Sequence, residues 1–176
     1  MRTLRPTSLA ALAALALALA FAQGAPARTF QAVEPDAALV KSIRHYRRTT
    51  LTLQRVMGHR VRFHRLHRVS LRHAWSVWHR RAVATRVRFY RGPPHEYAWL
   101  CIHRYEGAWT DSGSPYYGGL QMDIGFQSSY GSALLSTKGT ANNWTPLEQM
   151  WVAERAYRAG RGFYPWPNTA RHCGLI

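Results

Sequence analysis

Glu106-Gly107-Ala108-Trp109, followed six residues later by Tyr116-Tyr117-Gly118-Gly119-Leu120-Gln121, is the stretch on which the fold turns. Ahead of it, Ala98, Cys101, Ile102 and Tyr105 recur at helical spacing just after Pro94. Residues 95–106 therefore read as a helix that Gly107 ends. Glycine, serine, proline and tyrosine dominate residues 107–131, which read as loop or hairpin. Gly118-Gly119 lets a strand or a ligand pass close to the backbone. A helix running into a loop or hairpin, with more helical pattern on either side, makes the fold mostly helical, and α+β where the hairpin forms.

Glu106 lies four residues past Ile102 and seven past Trp99, so it shares their face of the helix. Its carboxyl is expected to be partly desolvated there, the setting a proton donor needs. Spacing alone equally allows an exposed glutamate at a helix end. Cys101 lies five residues back, about 140° around the helix at 3.6 residues per turn, and so could hold the helix from behind. Trp109, Tyr116 and Tyr117 are candidates for stacking on sugar rings, and as aromatics of a small domain they are also candidates for its core. Gln121 can bond a substrate amide or the backbone. Asp111 and Asp123 are the other carboxylates nearby in sequence.

Downstream, Thr145-Pro146-Leu147-Glu148 is a helix start with a capping box. That helix should run to Gly160, which gives Glu148 a structural role. Phe163, Pro165, Trp166 and Pro167 lead an irregular tail to Cys173. The cysteines, Cys101 and Cys173, allow one intramolecular pairing and fit an oxidising compartment. Two unpaired buried thiols are the alternative. A Cys101–Cys173 bridge would close most of the C-terminal region into one loop.

The charge is unevenly spread. Residues 1–27 carry two arginines and no acid; residues 28–94 carry sixteen Lys+Arg against two acids; residues 95–176 carry six against six. The contributions +2, +14 and 0 give the net +16. Arg2 and Arg5, then the Leu/Ala run Leu9 to Phe21, read as a secretory signal with cleavage after Ala22 or Ala27. Three parts follow: a signal peptide 1–27, a basic helical segment 28–94, and a neutral domain 95–176. The expected destination is the cell exterior or wall.

In the basic segment, Leu39, Ile43, Tyr46, Thr50, Leu53 and Met57 mark one face of a helix over residues 36–57. A second helix is expected over about 61–90, with Leu71, Trp75, Trp78 and Ala82 on one face, and Gly92-Pro93-Pro94 breaks the chain after it. A basic, aromatic-bearing segment outside the cell suits anionic wall polymers or a membrane surface, or serves as a solvated linker; export argues against nucleic acid. His45, His59, His64, His67, His73 and His79 lie among arginines that would repel a cation, so no metal and no cofactor is expected.

Taken in order, Cys101, Glu106-Gly107-Ala108-Trp109, Tyr116-Tyr117-Gly118-Gly119-Leu120-Gln121, Ala153-Glu154-Arg155 and Trp166-Pro167 before Cys173 resemble the resuscitation-promoting-factor domain, a small transglycosylase-like relative of lysozymes. Glu-Gly-Ala-Trp also resembles the Glu-Ser-x-Phe run of soluble lytic transglycosylases. The resemblance covers residues 95–176. It departs from the family pattern in placing the cysteine five residues before the glutamate rather than directly before it, and in shortening the run that follows. It implies a lysozyme-like domain that cleaves the β-1,4 bond between N-acetylmuramic acid and N-acetylglucosamine in peptidoglycan, acting as a monomer on glycan strands. It also implies a Cys101–Cys173 disulfide, Glu106 as the catalytic acid and Gln121 in the cleft, with Trp109, Tyr116, Tyr117, Gly119 and Asp123 as the expected substrate contacts. A muramidase using a second carboxylate and a non-catalytic wall-binding protein are the other expectations.

Overall fold

Residues 35–61 and 69–176 are described by a computed structural model. The signal-peptide reading of residues 1–27, and His64 and His67, lie outside those residues. The helical pattern of the basic segment is realised as α1 (Pro35–Val56) and α2 (Leu71–Tyr90). Ser70 opens α2 by accepting a hydrogen bond from the His73 amide at 3.3 Å. Its buried face is Trp78, Ala82, Thr85 and Phe89. Leu71 and Trp75, expected on that face, are only half-buried because the face rotates toward Phe89.

α3 spans Glu96–Glu106, followed by a two-stranded antiparallel sheet, β1 (Tyr116–Tyr117) with β2 (Met122–Asp123), in register Tyr116↔Asp123 and Tyr117↔Met122. The described chain is thus mostly helical with one small hairpin. Three helices follow: α4 (Ile124–Lys138), α5 (Pro146–Ala156) and α6 (Pro167–His172). Among the described residues, no helix is long and apolar enough to cross a membrane.

Three expectations are corrected here. Residues 124–131 form the first half of α4 rather than loop, despite Gly125, Gly131 and the serines between them. Asp123 caps that helix by accepting from the Phe126 amide at 2.6 Å, which satisfies an otherwise orphan donor. Gly131 is needed for packing, since a methyl there would sit 2.5 Å from the Trp144 ring. The tail before Cys173 is likewise not irregular throughout: Pro167 takes the first turn of α6. The Thr145/Glu148 capping box of α5 forms as read from the sequence. α5 stops short of Gly160, passing at Tyr157 into a π turn that contains it.

One hydrophobic core joins these elements. Trp99 and Ile102 of α3, Leu120 of the hairpin loop, Val152 and Ala153 of α5 and Ala170 of α6 are completely buried. Met57, just past α1, and Phe89 of α2 belong to the same core, and the Trp151 indole donates to the Phe89 carbonyl at 3.1 Å. Each large apolar side chain so buried contributes about 1.5–3 kcal/mol. Within this core Glu154 is a buried carboxylate, reached by Trp99 Nε1 at 3.1 Å, His95 Nδ1 at 3.0 Å and Arg158 Nε at 4.0 Å. Those partners keep its charge from being left uncompensated.

Candidate active site

The carboxylates divide by what already engages them. Asp36 and Glu96 sit in the first turns of α1 and α3. Asp123 caps α4, and Glu148 closes the α5 capping box and pairs with Lys138 at 2.7 Å. Glu154 is sealed in the core. Among the described residues Glu106 and Asp111 complete the set, each with hydrogen bonds of its own, on either side of Gly107-Ala108-Trp109-Thr110.

Glu106 is the last residue of α3 and is half-buried. Its Oε1 accepts a hydrogen bond from the Thr169 hydroxyl of α6 at 2.7 Å. The carboxyl is therefore aimed by a partner 63 residues away. Cys101 is bonded to Cys173, one turn beyond Thr169 on the chain. The disulfide does not hold α3 from a side remote from the acid, because one element, α6, meets both.

The hairpin loop closes against the same helix end. His103 Nδ1 donates to the Gly119 carbonyl at 3.1 Å, and its ring stacks on Trp109 with centroids 3.9 Å apart. A methyl at Gly119 would lie 2.6 Å from both His103 Nδ1 and the Trp109 ring, so glycine is required there by close approach. Gln121, the only non-glycine described residue with positive φ (47°), donates to Asp111 Oδ2 at 2.8 Å and to the Gly118 carbonyl at 2.9 Å. A methyl at Gly107 would sit 3.0 Å from Gln121 Nε2 and 3.3 Å from Asp111 Oδ2. Asp111 Oδ1 also accepts from the Gly113 amide at 2.9 Å.

Behind this loop stands Gln149 of α5, fully buried. It accepts from the Gly119 amide at 2.8 Å and donates to the carbonyls of Trp109, Ala141 and Trp144. Gln127 of α4 joins the Met122 carbonyl to the Ala141 amide in the same way.

Of the residues read from the sequence, Glu106, Trp109, Gly119 and Gln121 gather at the end of α3 with Asp111. Trp109 and Tyr117 are half-buried against the core, while Tyr116 is half exposed on β1. Asp123 pairs with Tyr116 across the sheet and spends its side chain on the α4 cap. Thr169, His103 and Gln149 are the site residues that sequence reasoning missed. His103 carries a faint signal, one helical turn before Glu106 on the same face. Four clefts of about 260–450 Å³ lie among the arginines of α1, α2 and α5, and Glu106 lines none of these.

No family model, curated protein or solved structure matches this chain.

Proposed function

We propose that the protein is a peptidoglycan-cleaving glycosidase of the lytic transglycosylase kind, acting outside the cell on the bond between N-acetylmuramic acid and N-acetylglucosamine with Glu106 as its one catalytic acid. The observation that carries this reading is the Thr169–Glu106 hydrogen bond. It fixes a half-buried carboxyl at the mouth of a hairpin loop instead of leaving it at a frayed helix end. The sequence resemblance supplies the substrate class.

Glu106 in its acid form donates its proton to the leaving glycosidic oxygen. Its carboxylate then takes the proton of the muramyl 6-hydroxyl, whose oxygen attacks the anomeric carbon and closes a 1,6-anhydro ring. Two-carboxylate hydrolysis would need a second free acid across the bond. Asp123 is engaged as a helix cap, and both oxygens of Asp111 already accept hydrogen bonds, which favours the single-acid route. Tyr116 offers a ring face to the sugars, Trp109 braces the loop through its stack on His103, and Gln121 is held beside the acid's helix end.

A muramidase reading keeps one specific support, the position of Asp111 Oδ2 against Gly107. The functional test is release of soluble fragments from purified cell wall. The wild-type chain should release them and Glu106→Gln should not, while both still sediment with the wall. Wall binding without release by the wild type would make the protein a binding module and end the enzymatic reading.

A further inference from the structure

We propose that the arginine-lined clefts running from Arg44 through His59 to Arg91 form one groove for a linear phosphate-backbone polymer without bases, a polyol-phosphate chain. The four clefts are linked by shared residues. Arg55 lines the first and second, His59 and Arg60 continue into the third, and His59 and Arg88 carry it into the fourth. A point anion needs one pocket, whereas a linked track suits a chain.

The described lining of these clefts is rich in cations. No acidic residue occurs between 37 and 95, and none lines any of the four clefts. Glu154 reaches Arg158 from the core side, and Glu96 lies beside Gly92 at one end. Arg55, Arg60, Arg88 and Arg91 are exposed and have no carboxylate partner among the described residues. Such a focused positive field repels itself and is relieved by an anion. Guanidinium forks match phosphate oxygens in charge and geometry. His59 at the junction titrates below its ordinary value, first through burial and then through Arg158 and Arg88.

The preference for a polymer without bases rests on the two tryptophans among the described lining residues. Base-carrying strands are held by stacking on exposed rings. Trp78 and Trp151, which line the groove, are buried, Arg81 covers Trp78 at 5.3 Å, and Trp151 spends its N–H on Phe89. A lipid surface would want a flat apolar face rather than linked hollows.

The test uses the full chain and a fluorescent glycerol-phosphate oligomer. Substituting Arg55, Arg60 and Arg88 by Gln should weaken binding about tenfold or more at about 0.15 M salt and lower the salt slope by about one per arginine. A charge-matched triple outside the clefts, Arg72, Arg80 and Arg86 to Gln, should change binding by less than about threefold. Melting curves accompany both; if the first triple melts early, Arg60→Gln and Arg88→Gln alone carry the comparison. Equal losses in both sets, or no binding by the wild type, would overturn the groove. Oligothymidylate binding as tightly would overturn its preference for a polymer without bases. Phosphatidylglycerol vesicles binding more tightly than the oligomer would reassign the segment to a membrane.

Discussion

Thr169 carries the plainest prediction at the scale of single residues. Thr169→Val removes the hydroxyl that aims Glu106 and nothing larger. A hydrogen bond to the neutral acid is worth about 0.5–1.5 kcal/mol, so wall cleavage should slow about two- to tenfold while wall binding holds. Sedimentation and fragment release from one sample check both. Gln149→Leu tests the frame instead: it removes the side-chain partner of the Gly119 amide and of the Trp109, Ala141 and Trp144 carbonyls, of which Ala141 keeps the Trp144 amide. Urea unfolding should show about 3 kcal/mol or more of lost stability at unchanged m. His59 sets a pH dependence. Burial, then Arg158 and Arg88, lower its imidazole below the ordinary 6.5. The unfolded chain therefore takes up the proton first on acidification, and stability is lost as pH falls from about 6.5 through the lower folded value. His59→Gln should flatten that part of the stability curve; an unchanged curve would remove His59 as the cause. Glu106 was legible as a candidate because it follows an apolar helical face and precedes a glycine. Thr169 was not, because a threonine 63 residues away gives no periodic signal. Nor was Gln149, whose polar side chain in a helix is normally assigned to the surface.

Between elements, the Cys101–Cys173 bond ties α3 to α6 over a sequence separation of 72. The chain-entropy model puts such a closure at about 4 kcal/mol. Because α6 also carries Thr169, reduction should lower both the melting temperature and the rate of wall cleavage. A reduced protein that melts lower yet cleaves at full rate would separate the disulfide from the site. Elements with strong end signals were readable: Thr145-Pro146-Leu147-Glu148 opened α5, and Gly107 closed α3. α4 was hidden because Gly125, Gly131 and its serines have poor helix propensity. Tertiary contact wins there, with Gly131 packed under Trp144 and Gln127 tying the helix to Met122 and Ala141. The Asp123 cap was hidden in turn, since a cap is recognised only once its helix is.

Over the whole molecule, charge divides the sequence at residue 94, but packing crosses that division. Met57 is completely buried and Phe89 nearly so, in the core that Trp99 and Val152 share. Periodicity shows that α1 and α2 have apolar faces without saying what covers them. Residues 95–176 made alone should therefore melt well below residues 35–176. Met57→Ala in the full chain should cost about 2–5 kcal/mol. Calorimetry on the fragment and urea unfolding of the variant check these. An independently stable fragment would mean that α1 and α2 only decorate the domain. The account as a whole rests on Glu106 acting alone, and product chemistry reads that directly. Mass spectrometry of peptidoglycan digested by the purified protein should find 1,6-anhydromuramyl ends, absent with Glu106→Gln. Reducing muramic acid ends, or anhydro products that survive Glu106→Gln, would contradict it.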